Sequence, residues 1–519
     1  DMSKQLARQQ SAARVKKPAF IFVNRLSPLA CKVRRHWFRI VIVVAPLVAM
    51  ALCWWIGSQQ SVWFDEAYSV RLARQSWQQL LALTSVDTHP PLYYMILKLW
   101  GSLGQWHDGW LRLYSILCYG VSIIIGGAVV KQLFHRRVAL GVMPFLLLSP
   151  LMLRYGFEIR MYAMAMLIGI LATYLLVRAR QRSGWSWWWC GYMLLVAAGM
   201  MTLYYMVLVW LAHAVWLLVD ELRHRKAGVS WFGALWRAPW VWAYFGSVLL
   251  FGLWVPVLLT QVEGTALTSV TQIMAFDNIF SVITFTTVYQ PIYKMNLTVG
   301  QSVIALLAIW LVLVIIRDGY RVLRTARERR SFWLLVAYIA IPVIVLLLLS
   351  AIAPLYVERY ISHVAIGGAL LLGVSAALVW QRHPSSRQRW MIVGLVVVLC
   401  AGTAHLAKLG NYNFQRELRP AMRQAARQLS TQHQQPIVTD DPYVGMELLH
   451  YVPERQVRLI SDEALLTGGY APLVQTAARL DPQLIGALPS TIWYVYYDVP
   501  TIDWQSYGYH VGAAADYGT

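Results

Sequence analysis

Charge is scarce in this chain, and acidic charge is scarcer still. Only 13% of the 519 residues are charged, about half the usual fraction for a soluble domain, and 24 Asp and Glu stand against 45 Lys and Arg. A soluble multidomain protein is excluded by that shortage. Disorder is excluded by the 25 Trp, 28 Tyr and 15 Phe, which carry more apolar surface than a solvated chain can leave in water. The five cysteines, Cys31, Cys53, Cys118, Cys190 and Cys400, match no zinc or redox spacing, and no disulfide framework is expected. No internal repeat is visible, so a transporter built from inverted halves gains no support. The N-terminal stretch lacks the short apolar core and cleavage site of a signal peptide, and the first apolar span is expected to stay as an anchor.

Apolar runs are abundant. With 58% hydrophobic residues, the chain offers runs near 38–57, 112–134, 138–153, 159–178, 186–201, 203–219, 239–260, 298–316, 332–350, 361–380 and 390–409. Each approaches the roughly 17 to 25 residues that cross a ~30 Å hydrocarbon core, so a polytopic α-helical membrane protein with about eleven spans is expected. The basic stretches KQLFHRR (131–137), RARQR (178–182), RHRK (223–226), RDGYRVLRTARERR (317–330) and QRHPSSRQR (381–389) alternate with loops nearly free of Lys and Arg. By the positive-inside rule they face the cytoplasm, so the net charge of +21 reflects topology and nucleic acid drops out as a partner. Residues 1–37 then form a basic cytoplasmic segment, 38–410 the membrane domain with long outward loops at 58–111 and 261–297, and 411–519 an outward domain. That last part is expected to be a small α/β unit, with a helical pattern near 415–432 and strand-like runs at 436–440, 456–460 and 492–497.

Ionisable residues gather in the outward loops. SVWFDEAYS places Asp65 and Glu66 beside Trp63, Phe64 and Tyr68 where the first span ends. An interfacial acid pair is the plain explanation; a general base or a cation site is the chemical one. In DTHPPLYY, residues 87–94, Pro90 holds His89 extended and Pro91 can open a helix, a rigid corner that carries Asp87 and His89. RYGFEIRMYAM (154–164) puts Arg154, Glu158 and Arg160 on the side where basic charge is disfavoured, and LYVERYISH (355–363) adds Arg359 and His363, with Arg112 a further outward cation. Arginine presents a planar fork suited to phosphate oxygens, and Tyr68, Tyr162 and Tyr360 offer faces on which a sugar ring can stack. Together with His89, Glu158 and His363 these are candidate substrate contacts. Asp65 and Asp87, with Glu66, could also supply carboxylate oxygens to Mg²⁺ or Ca²⁺. His213 and His405 lie nearest the spans and suit packing better than a proton relay. On the outward domain, Asp440, Asp441 and Asp498 stand near strand ends, where solvated loop acids are the plainer reading and a binding edge the alternative.

The set FDEAYS (64–69), DTHPPLYY (87–94), RLYS (112–115), YGFEIRMYA (155–163) and ERY (358–360) resembles the polytopic GT-C glycosyltransferases, in particular the bacterial family 39 relatives of protein O-mannosyltransferases and lipid A aminoarabinose transferases. The resemblance runs from the first span to about residue 410. It implies an inner-membrane transferase that moves a sugar, with inversion, from a polyprenyl-phosphate donor to an acceptor hydroxyl outside the cytoplasm, the acceptor being a cell-envelope glycan, a glycolipid or a protein. Asp65 matches the family's catalytic acid, Glu66 and Asp87 the accompanying acids, and Arg160 and Arg359 the positions suited to the donor phosphate. Phe157 and Ile159 depart from the Gln and Ala common in relatives. A flippase for lipid-linked sugars is the alternative, and it would need polar groups along the spans.

Overall fold

The computed structural model describes residues 28–224, 230–264, 283–284, 286–289, 299–350, 358–382, 384–409, 421–430, 435–452, 457–460, 479–480, 485, 488–496, 502–512 and 514. Most of the expected outward loop 261–297, and Asp498, lie outside the described residues. Residues 42–519 make one compact unit.

Among the described residues, eight helices are long and apolar enough to cross a membrane, from Ile40–Ser58 to Ser386–Lys408. Two helix pairs, Arg136–Leu148 with Pro150–Gly156 and Pro239–Gly252 with Val255–Val262, pass the same test but bend by 63° and 69°. The Trp187–Met200 helix is apolar and shorter. These segments account for each apolar run of the sequence, and the chain is a multi-pass membrane protein. Val43, Leu47, Trp54, Leu306 and Leu313 point outward and exposed, as hydrocarbon-facing side chains must, while the Arg359–Gln381 span is the most enclosed of the eight.

The basic loops meet at one end of the bundle. Arg327 Nη2 donates to the Gln132 carbonyl at 2.8 Å and Ser331 Oγ to the Leu133 carbonyl at 3.2 Å. Asp220 accepts from Arg180 and Arg330, and Arg382 binds Glu328. The Asp108–Leu133 helix reaches this end with its C-terminal turn and carries Arg112 in its first. At 1.5 Å per residue its 26 residues span about 39 Å, so Arg112 and the basic loops lie at opposite ends of the bundle.

Two local features shape the Arg112 end. The chain breaks at Ser149, and a new helix starts at Pro150, whose missing N–H costs nothing at a first helical position. That bend carries Arg154 into the turn that holds Glu158 and Arg160. Gly57, at the end of the first span, sits so near this turn that a Cβ would meet Phe157 Cβ at 3.0 Å. No larger residue fits without displacing Phe157.

Among the described residues, the C-terminal portion carries a four-stranded parallel sheet in the order β3-β2-β1-β4, with β1 Ile437–Thr439, β2 Val457–Ile460, β3 Arg479–Leu480 and β4 Trp493–Tyr494. Helices Met422–Ser430 and Pro442–Tyr451 pack on it through Met422, Ala426, Leu429, Val444 and Leu448. Three of the strands fall within the runs read from the sequence. Asp441 is the N-cap of the Pro442–Tyr451 helix, accepting the Tyr443 and Val444 N–H groups at 2.7 and 3.3 Å, and Asp440 accepts from the Tyr494 hydroxyl at 2.9 Å.

Candidate active site

The Phe64–Arg74 helix follows the first span directly and begins with two acids, where the unpaired N–H groups and the helix dipole favour negative charge. The two acids part ways at once. Asp65 and Glu66 are both at most 3% exposed, but they bind different partners.

Asp65 meets the arginines. Its Oδ2 accepts from Arg359 Nη1 at 2.8 Å and lies 3.9 Å from Arg160 Nη2. Arg160 is held on several sides: its Nη1 donates to Ser69 Oγ at 3.0 Å, to the Tyr94 hydroxyl at 3.3 Å and to the Asp65 carbonyl at 3.4 Å. Its Nη2 lies 3.4 Å from His89 Nε2. Tyr94 in turn donates to Asp87 Oδ2 at 3.3 Å, and His89 Nδ1 lies 3.7 Å from the same oxygen. Asp65, Arg359, Arg160, His89 and Asp87 are thus one connected cluster, drawn from four separate segments of the chain. Burial lowers the His89 pKa, and Arg160 beside it lowers it further against the pull of Asp87, so the imidazole stays neutral.

Glu66 turns the other way. Its Oε2 accepts from Arg112 Nη2 at 3.0 Å and from the Trp63 N–H at 3.3 Å, and its Oε1 accepts the Ile159 N–H at 2.9 Å. Arg112 also donates to the Gly57 and Ser61 carbonyls at 2.8 and 3.1 Å. Glu158 accepts from Trp63 Nε1 at 2.7 Å and lies 3.1 Å from Arg154 Nη1. These contacts tie the end of the first span, the acidic helix and the 158–160 turn together. Glu66 and Arg112, expected from the sequence to act on substrate, bond to each other and to backbone groups, and so tie the turn bearing Arg160 to the end of the first span.

Burial, reinforced by nearby Glu158, pushes the Glu66 carboxyl from 4.5 up to about 7, against Arg112 and the two N–H donors. A raised folded-state pKa means that the folded chain holds a proton there which the unfolded chain has released. The stability this supplies is present in full below the ordinary carboxylate range and is lost as pH rises through about 7. Glu66→Gln, neutral at every pH and able to accept from Ile159, should remove that slope. The difference in stability between variant and parent should change by up to ~1.4 kcal/mol per pH unit below 7, read from thermal unfolding in detergent at pH 5.5 and 8. Parallel curves would show Glu66 ionised throughout by Arg112.

The remaining candidates lie around the cluster. Tyr162 presents its ring 6.0 Å from the Arg160 guanidinium carbon, and Tyr360 stacks on Tyr205 at 4.5 Å and 13°. Tyr68 is buried on the Asp65 helix, and His363 is buried in the 3₁₀ turn that follows Arg359. Ser69 and Tyr94 escaped the sequence reading, although both stand inside quoted motifs: Ser69 lies one helical turn beyond Asp65, and Tyr94 seven residues after Asp87. His213 is enclosed in the bundle, 3.1 Å from Thr173 Oγ1 and 3.0 Å from the Tyr192 hydroxyl, as a packing residue.

The expected cation site does not fit. Glu66 faces away from Asp65, the Arg160 guanidinium and Tyr94 lie between Asp65 and Asp87, and Asp65 already answers an arginine. A divalent ion there would sit against fixed positive charge. Among the described residues no group of three or more His, Cys, Asp or Glu forms a ligand set.

Residues 88–259, which include His89, Tyr94, Arg112, Glu158 and Arg160, match the sequence family described as dolichyl-phosphate-mannose-protein mannosyltransferase. No curated protein sequence matches the chain. Among solved structures it is similar to ArnT from Cupriavidus metallidurans in the apo state, with a TM-score of 0.55 at 14% identity over 88% of this chain and 91% of that one. The same enzyme bound to undecaprenyl phosphate gives 0.52 at 13% identity, covering 88% and 90%. The archaeal oligosaccharyltransferase AglB from Archaeoglobus fulgidus, in complex with an inhibitory peptide and a dolichol-phosphate, gives 0.50 at 12%, covering 86% and 69%. This chain is a polytopic membrane protein with the GT-C fold of the ArnT and AglB structures, and its match to the mannosyltransferase family model lies in residues 88–259.

Proposed function

We propose that this chain is an inverting glycosyltransferase that moves a sugar from a polyprenyl-phosphate donor to an acceptor hydroxyl, on the membrane face opposite its basic loops. The observation that carries this reading is the Asp65 carboxylate bonded to Arg359 at 2.8 Å with Arg160 at 3.9 Å, in one buried cluster at one end of the bundle. Asp65 takes the proton of the acceptor hydroxyl as its oxygen attacks the anomeric carbon. The bond from that carbon to the phosphate oxygen breaks, and the lipid phosphate leaves with both electrons and one further negative charge. Arg359, whose side chain is 22% exposed, is the guanidinium that can reach an incoming phosphate, whereas Arg160, at 1%, orders the cluster from behind. Fixed cations where charge develops stabilise the transition state in the way an oxyanion hole does. A single displacement inverts the anomeric centre. The positive-inside pattern supports a site on the extracytoplasmic face of the inner membrane.

The reading is supported by the undecaprenyl phosphate in the similar ArnT structure, by the dolichol-phosphate in the AglB complex and by the family match. Envelope glycans, glycolipids and protein hydroxyls are all acceptors of the right chemistry.

The test is a liposome reconstitution with a polyprenyl-phosphate sugar and a cell-envelope acceptor fraction. Release of polyprenyl phosphate together with a glycosylated product is expected, and it should persist at the same rate after chelation and verified metal removal. Movement of the donor between leaflets with no lipid phosphate released would overturn the proposal in favour of a flippase.

A further inference from the structure

The helix that carries Asp65 is completed from the far end of the chain. Of the first N–H groups of an α-helix, which have no partner within it, Trp63 N–H is answered locally by Glu66, as in half of a capping box. The next one, Phe64 N–H, donates at 3.0 Å to Oε1 of Glu447, a residue 383 positions later that is 2% exposed. Glu447 belongs to the Pro442–Tyr451 helix, which has two working faces. Val444 and Leu448 enter the core of the α/β portion, while Tyr443, Glu447 and Tyr451, spaced by four, share the stripe beside it.

Every member of that stripe touches the segment leading into Asp65. The Tyr443 ring packs edge-on against Phe64 at 4.6 Å, and the Tyr451 hydroxyl accepts the Val62 N–H at 2.6 Å. Arg423, from the neighbouring helix, donates its guanidinium to the Ser58 and Gln60 carbonyls and its backbone N–H to Ser61 Oγ at 3.1 Å. Asp108, at the start of the Arg112 helix, is bonded by His450 Nε2 at 2.8 Å and lies 3.5 Å from Arg423 Nη2. The backbone between residues 58 and 64 therefore takes much of its hydrogen bonding from the C-terminal portion, which also places a buried carboxylate at the positive end of the Asp65 helix.

We infer that Glu447 is a positioning residue for the transfer reaction: by capping Phe64 N–H it fixes the first turn of the helix on which Asp65 rides, and so the distance from Asp65 to Arg359. This rests on the role proposed above for Asp65. Truncating Glu447 removes that acceptor next to Asp65 and lets the first turn fray. A capping defect acts on the reacting carboxylate, because Asp65 is the second residue of that helix, and not on the surfaces that bind the donor lipid.

The test compares Glu447→Ala and Glu447→Gln with the parent in the full-length chain, in the liposome assay and by hydrogen exchange across residues 58–74. Glu447→Ala should lower kcat at least tenfold with donor KM within twofold, and should speed exchange in the first turn of the helix. Glu447→Gln, whose amide oxygen still accepts from Phe64, should restore most of both. The inference is overturned if Glu447→Ala keeps parental kcat and exchange, if the Gln variant is as impaired as the Ala variant, or if activity falls only in step with the amount of folded protein. A parent that transfers no sugar would instead remove the proposed function, and the exchange arm would still report whether Glu447 caps the helix.

Discussion

Asp65→Asn is expected to abolish measurable sugar transfer while leaving the protein folded and able to bind donor. The amide has the shape of the carboxylate and can still accept from Arg359 at the 2.8 Å contact, so the arginine keeps a partner. What is lost is the capacity to take a proton. General-base assistance contributes about 10²–10⁴-fold, and the loss should fall on kcat, with donor KM little changed. Transfer, thermal unfolding and retention of a labelled lipid donor, measured side by side, separate the chemical loss from a folding loss. Near-parental turnover in the variant would take the base assignment away from Asp65.

The second large effect is expected at Arg359. Replacing it with Gln should slow transfer on the order of 10²-fold, about 2.7 kcal/mol of transition-state stabilisation, by analogy with a removed oxyanion donor. Lys should recover only part of this, since an ammonium supplies the charge without the planar fork. The two arginines should then behave differently. Arg160 is buried, with bonds to Ser69, Tyr94 and the Asp65 carbonyl, and its replacement takes a charged donor away from three buried polar groups at once. Its loss should therefore lower the unfolding temperature as well as the rate, while loss of Arg359 should act mainly on rate. Equal losses of stability in both variants would contradict this division.

Membrane architecture and site composition were legible because each leaves a strong local signature. Runs of about twenty apolar residues have no soluble explanation in such numbers, and ionisable residues such as Arg160 and Arg359 stand out where positive charge is disfavoured. The roles of neighbouring charges were not legible. Asp65 and Glu66 are adjacent and chemically alike in sequence, but one helical step turns them about 100° apart, so that one meets Arg359 and the other Arg112. Arg112 reads as an outward cation like any other, and only the carbonyls of Gly57 and Ser61 show that it braces the chain. Of the C-terminal strands, β3 has two residues, too few to carry a period. The Pro442–Tyr451 helix, by contrast, announces itself with Asp441 as cap and Pro442 at its first position, a start signal that went unread beside the acids of the strand ends. Glu447 carries no local signal, because the group it serves is 383 residues away.

That long reach bears on how the protein is made. A ribosome delivers Asp65 before most of the described spans and Glu447 after them, so the Phe64 amide meets Glu447 only once those spans have been made. Contacts between parts so remote in the chain form late, since the intervening segments must first find their own places. Chains interrupted before residue 442 should accumulate as inserted intermediates in which the Asp65 helix begins without the Glu447 carboxylate.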